Sequence, residues 1–282
     1  MKVAAIQMVS TSNVSQNIQT ALTLLKNAAA QGAQLAVLPE YFCAISIKDE
    51  NKRQYAEYDG DITNSPIQHA MSQAAKNLGI WIVAGTIPLR SEDSSDHVRN
   101  SCLVYNNLGE QVIRYDKIHL FRYDNGSEHY DESATHEAGT TPKTFQMPTT
   151  LGAQQTVKIG LSICYDLRFP ELYRQLSAPN AQPCDMMLVP AAFTYHTGQA
   201  HWEILLRARA IENQCYIIAA AQGGTHDNGR RTWGHSMIID PWGQILSMQA
   251  SGNGIIFADI DLKQIQSIRQ DLPALKNRML LD

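Results

Sequence analysis

Two rhythms of apolar residues run along this chain. Short unbroken runs recur: KVAAIQMV (2–9), AQLAVLP (33–39), IWIVAGTI (80–87), VKIGLSIC (157–164), DMMLVPAAF (185–193) and CYIIAAAQ (215–222). Their length and β-branched content predict buried strands. Between them the period lengthens to that of a helix. In 13–32, Ile18, Ala21, Leu22, Leu25, Ala28 and Ala29 share one face, with Asn13 as expected N-cap and Gly32 as stop. In 64–79, Ser65 is the expected N-cap, Pro66 opens the helix and Gly79 ends it. FPELYRQLS (169–177) and GQAHWEILLRARAIENQ (198–214) read as two further helices, and 254–270 as a strand followed by a helix. NNLG (106–109) and PWGQ (241–244) each separate two β-rich runs and predict hairpins. Residues 119–146 are polar and aperiodic and read as a long loop, of the kind that often forms a lid. Strands alternating with amphipathic helices, plus hairpins, predict an α/β fold with mixed strand directions in a single domain over 1–282.

Composition narrows the function classes. Of 282 residues, 44% are apolar and 18% charged, an ordinary globular balance, and the net charge of −4 gives no nucleic-acid footprint. The N-terminal apolar run is too short for a signal peptide, and no run reaches the roughly 18 residues of a membrane span. A cytoplasmic protein without membrane or nucleic-acid partners is expected. Cys43, Cys102, Cys164, Cys184 and Cys215 are scattered, odd in number and without CxxC spacing, which argues against a disulfide framework and against a metal site. No Gly-rich phosphate loop follows a strand, so no cofactor is expected.

Candidate chemistry gathers where strands end. Glu40 follows AVLP, Lys117 follows VIRYD and Cys164 ends IGLSI. Ligands of open α/β sheets bind beyond the carboxyl ends of strands, so the fold could bring all three together. A carboxylate can take a thiol proton, the thiolate can attack a carbonyl or nitrile carbon, and an ammonium can steady the oxyanion that forms. Taken alone, Cys164 could equally be a buried core thiol, the ordinary state of a free cysteine.

The segments LAVLPEYF, YDKIHLF and GLSICYDLRFPELYR resemble the three signature segments of the nitrilase, or carbon–nitrogen hydrolase, superfamily. The resemblance extends through GQAHWEILLRARAIENQCYIIAAAQ and GHSMIIDPWG. It implies a four-layer αββα sandwich, a homodimer or larger dimer-based assembly, and a Glu–Lys–Cys triad. By position Glu40 would be general base and acid, Lys117 the stabiliser of the tetrahedral intermediate and Cys164 the nucleophile. The Tyr165 backbone N–H would complete the oxyanion hole. A second glutamate, frequent in the family, falls best on Glu132, seven residues before Gly139, with Glu128 and Glu137 as competitors.

Within the superfamily, CYDLRFPEL and its companions look most like the branch of deaminated glutathione amidases and ω-amidases. The implied reaction is hydrolysis of a small carboxylated amide through a cysteine thioester. Deaminated glutathione, giving 2-oxoglutarate and cysteinylglycine, is the first expectation. Alternatives are 2-oxoglutaramate, an N-carbamoyl amino acid, or a catalytically silent scaffold. Arg168 could clamp a substrate carboxylate or serve a structural ion pair. His119, His201 and His235 are expected to pack or hydrogen-bond rather than to form a Cys–His pair, and Trp202, Trp233 and Trp242 to lie in core or interface.

Overall fold

The structure, a computed structural model, describes residues 1–45, 49–91, 96–126, 129–149, 155–177 and 182–279. The chain begins with β1 (Lys2–Gln7), α1 (Val14–Ala30), β2 (Leu35–Val37), α2 (Pro66–Leu78), β3 (Trp81–Val83), β4 (Ile87–Arg90), β5 (Val98–Tyr105) and β6 (Gln111–Asp116). It continues with β7 (Arg122–Asp124), β8 (His129–Asp131), β9 (Thr144–Pro148), β10 (Thr156–Leu161), α3 (Pro170–Leu176) and β11 (Met186–Ala191). The remainder holds α4 (Tyr195–Asn213), β12 (Tyr216–Ala221), β13 (Gly223–Thr225), β14 (Arg231–Trp233), β15 (Ser236–Ile239), β16 (Ile245–Gln249), β17 (Gly254–Asp259) and α5 (Leu262–Asp271).

Two large sheets repeat one plan. In the first, β1, β2 and β3 run parallel, β17 flanks β1 antiparallel, and β5 carries β3 and β4 along one edge and β6 along the other. In the second, β10, β11 and β12 run parallel, with β9 antiparallel on one side and β15 and β16 on the other. Alternation along β1 sorts its two faces. Val3 and Ala5 pack with residues of the second sheet, whereas Ala4 and Ile6 pack with Ala21 and Leu25 of α1 and Met71 of α2. Helices α3 and α4 bring Tyr173, Trp202 and Leu206 onto the second sheet. The result is the expected αββα sandwich, with each fully buried large apolar side chain contributing about 1.5–3 kcal/mol.

The strand ends are brought together by the sheets themselves. Strand β5 is antiparallel to both β3 and β6, so β6 runs in the same direction as β2 and β3. Just beyond β1 and β12, Met8 and Gln222 form a parallel bridge, in which Gly223 N–H donates to Met8 O at 2.9 Å. This bridge ties the carboxyl ends of the two parallel cores to one edge.

Several expectations need correction. The run 80–87 is two strands rather than one, broken at Gly85, whose φ is 45° and whose added Cβ would lie 2.0 Å from Pro39 O. Ser65 occupies the N-cap position of α2 but makes no capping bond. Buried Glu57 does so instead, accepting from Ile67 N–H at 2.6 Å and Gln68 N–H at 3.0 Å. Strand 157–164 stops at Leu161, because residues 164–168 wind into a 3-10 turn. Residues 119–146 are not one open loop. They hold the β7–β8 hairpin, a 3-10 turn at Glu132–Ala134 and the start of β9. Both expected hairpins form, as β5–β6 and β15–β16.

Candidate active site

Glu40 leaves β2 on a backbone held from several sides. Tyr41, at φ 52°, donates its N–H to Thr86 Oγ1 at 2.9 Å, and Gln222 Nε2 donates to Glu40 O at 3.1 Å. Lys117 follows β6, and its N–H donates to Asn100 O at 3.0 Å. Cys164 sits at φ 47°, a sparsely populated region for a residue with a side chain, stored where the strand turns into the 3-10 segment. Asp166 pins that turn. It accepts from Ile163 N–H at 2.9 Å and Tyr115 O–H at 2.7 Å on one oxygen, and from His119 N–H at 3.0 Å on the other. The His119 ring lies 2.7 Å from the same carboxylate and stacks on Phe169 at 3.7 Å.

These elements assemble one buried polar cluster. Lys117 Nζ donates to Glu40 Oε1 at 3.0 Å and to Glu132 Oε2 at 2.7 Å. Ala192 N–H donates to Glu40 Oε2 at 2.8 Å, and Cys164 lies in the same buried cluster, where the charge of Glu40 acts on its thiol. Asn100 Nδ2 spans the two carboxylates, at 2.9 Å from Glu40 Oε1 and 3.1 Å from Glu132 Oε1, and reaches Tyr41 Oη at 2.8 Å. Tyr41 O–H donates to Glu132 Oε1 at 2.6 Å, with His136 Nε2 at 3.2 Å from the same hydroxyl. That single proton goes to the carboxylate, so the hydroxyl oxygen is left to accept from Asn100 and from His136 as the Nε2–H tautomer.

Charge settles unevenly on the cluster. Burial by itself would lower the Lys117 pKa, but Glu132 and Glu40 beside it carry the pKa well above the usual ammonium range. Burial likewise opposes the charged form of Glu132, yet Lys117, His136 and Lys52 hold its carboxyl far below the carboxylate range. The Cys164 thiol is pushed well above its usual value, first by burial and then by the negative charge of Glu40. Lys117 pulls the other way and is outweighed, so the resting sulfur is a thiol that must hand its proton on as it reacts. The other four cysteines are buried, with Cys43 and Cys184 both pushed up to about 12 by desolvation.

Beyond the cluster opens a cleft to which Glu40, Lys117, Glu132 and Cys164 all contribute. Arg168 lines it, with its guanidinium 5.3 Å from the Phe193 ring centre and 5.8 Å from that of Tyr165, and Nη1 3.2 Å from His201 Nδ1. Among the described residues no carboxylate pairs with it. Glu137 is spoken for elsewhere, pairing with Arg99 at 2.5 Å and with Ser91; Glu128 lies outside the described residues. The histidines outside the cluster pack as expected. His235 stacks on Trp233 at 4.1 Å, and its carbonyl accepts from buried Trp202 Nε1 at 2.8 Å, while Trp242 is exposed. Among the described residues there is no His, Cys, Asp and Glu grouping able to hold a metal, and no helix long and apolar enough to cross a membrane.

Sequence reasoning missed Asn100, Tyr41 and the Ala192 N–H. Asn100 left one trace, a polar residue at the head of the apolar run CLVY, and Tyr41 another, as the neighbour of Glu40. The Ala192 contact is made by backbone and leaves none.

Comparison with known proteins agrees with this geometry. The family model described as carbon-nitrogen hydrolase matches residues 2–270. A deaminated glutathione amidase of Synechocystis sp. (strain PCC 6803 / GT-S) is 38% identical over 280 residues, covering 99% of this chain and 98% of that protein. Omega-amidase NIT2 of Mus musculus is 36% identical over 278 residues, covering 98% and 94%. The crystal structure of the C. elegans NitFhit protein superposes with a TM-score of 0.87 at 33% identity; the match covers 99% of this chain and 65% of that longer one. A cysteine, a lysine and two carboxylates meeting at the strand ends of an αββα sandwich, together with these matches over nearly the whole chain, lead to one assignment: the chain belongs to the carbon–nitrogen hydrolase family.

Proposed function

We propose that this chain is an amidase that hydrolyses deaminated glutathione to 2-oxoglutarate and cysteinylglycine through a thioester on Cys164. The observation that carries the reading is that Cys164 lines the same cleft as Glu40, itself ion-paired to Lys117, together with an arginine that has no carboxylate partner among the described residues. The Synechocystis relative named deaminated glutathione amidase supports the choice of substrate.

Glu40 takes the thiol proton as the sulfur attacks the amide carbon. Lys117 Nζ and the Tyr165 backbone N–H hold the oxyanion, an interaction of a kind worth about 2.7–4 kcal/mol per donor. The C–N bond breaks as Glu40 returns the proton to the leaving amine, giving free cysteinylglycine and the acyl thioester. Glu40 then takes a proton from water as the water attacks, and 2-oxoglutarate leaves as the sulfur is reprotonated. Glu132 keeps Lys117 charged and oriented throughout, which is its part in the site. Arg168 binds the carboxylate at the acyl end, where its planar fork can form two parallel bonds.

A homodimer is part of the same proposal. Ile204 and Ile211 of α4 and Trp242, Leu246 and Met248 of the β15–β16 hairpin are exposed. Arg207 Nε donates to Gly243 O at 2.9 Å and holds the two elements side by side, and the exposed apolar residues they carry are the surface assigned to the dimer contact in this reading.

A second reading, an ω-amidase acting on 2-oxoglutaramate, is favoured by the relative of that name at 36% identity. The test is 2-oxoglutarate formation from both amides, with wild type and Cys164→Ala. Faster cleavage of deaminated glutathione and a dead variant fit the first reading. Preference for 2-oxoglutaramate replaces it with the second, and full activity of Cys164→Ala refutes the mechanism in either case.

A further inference from the structure

A second arginine reaches the cleft and has no role in the chemistry above. Arg230, on the turn between β13 and β14, lines the cleft with its guanidinium 5.2 Å from the Tyr130 ring centre. Its Nε is buried with no hydrogen-bond partner, and no carboxylate pairs with it among the described residues. A buried cationic donor left without an acceptor is costly, so its retention fits an acceptor brought by the ligand.

The two arginines stand at the two ends of one aromatic wall. Arg230 lies on Tyr130, Tyr130 packs against Phe121 at 5.7 Å, Phe121 against Tyr165 at 5.1 Å, and Arg168 faces Tyr165. Arg168 belongs to the turn that carries the nucleophile. Arg230 approaches through Tyr130, at the end of the wall away from Arg168 and so away from the acyl carboxylate assigned to Arg168 above.

We propose that Arg230 binds a carboxylate on the leaving-amine side of the substrate, so that the cleft selects amides carrying one carboxylate on the acyl part and a second on the amine. This rests on the function proposed above and deepens it, because deaminated glutathione has both carboxylates whereas 2-oxoglutaramate has only the first. Arg230 would thus be the residue that tells the two amides apart.

The test pairs deaminated glutathione with its C-terminal carboxamide, which lacks only the second carboxylate, in wild type and Arg230→Met. The wild type is expected to prefer the acid in kcat/KM by about 10- to 100-fold, the range of one charge-assisted hydrogen-bonded contact. In Arg230→Met the two rates should come within about threefold, with the thermal midpoint near wild type showing that the variant is folded. Arg230→Lys, which keeps the charge and loses the planar fork, should retain part of the preference. A preference that survives in Arg230→Met overturns the assignment, and so does a wild type that cleaves acid and carboxamide equally. A wild type that forms no 2-oxoglutarate from either compound overturns the functional reading, and the assignment falls with it.

Discussion

Replacing Lys117 by Met keeps a long, flexible side chain and removes one charge from the middle of the cluster. The ammonium is 2% exposed and lies 3.0 Å from Glu40 Oε1 and 2.7 Å from Glu132 Oε2. Removing one partner of a buried ion pair costs about 3–5 kcal/mol, because the charge left behind is still out of water. At this chain length, with an unfolding entropy of about 0.6 kcal/mol/K, that corresponds to a thermal midpoint lower by roughly 5–8 °C. The pH dependence is the sharper signature. In the wild type the folded-state pKa of Glu132 is depressed, so its contribution is present above the unfolded value of about 4.3 and is lost only as pH falls through the depressed one. The Lys117 pKa is raised, so its contribution is complete below about 10.4 and is lost only as pH rises through the higher folded value. Between about pH 5 and 8 the wild-type contribution is therefore flat. In Lys117→Met, burial dominates and raises the Glu132 pKa, with Lys52 and His136 limiting the rise. The variant then recovers stability by binding a proton at pH 5 and loses it again toward pH 8. Differential scanning fluorimetry of both proteins at constant ionic strength should show a midpoint gap that widens with pH. A gap that is constant or narrows would refute the electrostatic argument.

Other expectations follow from the same contacts. Because the Cys164 thiol is held protonated, its alkylation by iodoacetamide at pH 7, read by peptide mass spectrometry, should be slower than that of free glutathione and should climb with pH; rapid labelling at pH 6 would contradict the resting thiol. Gly85→Ala should lower kcat as well as stability. The left-handed φ alone costs about 1–2 kcal/mol, and the new Cβ, 2.0 Å from Pro39 O, must displace the backbone that carries Glu40; an unchanged kcat would show that Glu40 is not held there. Combined Ile204→Asp and Trp242→Ser should halve the mass measured by light scattering without lowering the thermal midpoint of the protomer by more than a few degrees, whereas an unchanged mass would remove that surface from the interface.

What the sequence disclosed and what it withheld divide along physical lines. Glu40, Lys117 and Cys164 were legible because each ends an apolar run, and strand ends in such sheets share an edge. Glu132 was legible only through its distance from Gly139; its contacts with Lys117, Tyr41 and Asn100 set it apart from Glu137, which is tied to Arg99. The strand break at Gly85 was hidden because IWIVAGTI is apolar throughout, and the cause of the break, the Pro39 carbonyl, is remote in sequence. Capping of α2 by Glu57 instead of Ser65 was hidden for the same reason, since the donor groups and the carboxylate meet only in three dimensions. The β7–β8 hairpin has strands of three residues, too short to show a period, and its Tyr130 is anchored by packing against Phe121.

Acyl transfer through the Cys164 sulfur leaves a covalent intermediate that can be trapped. The most direct measurement is acid quenching of the wild-type enzyme during turnover of deaminated glutathione, followed by peptide mass spectrometry. A 2-oxoglutaryl adduct is expected on the peptide containing Cys164, removed by hydroxylamine and absent from Cys164→Ala. Turnover without any adduct on that peptide, and with Cys164→Ala still active, would contradict it.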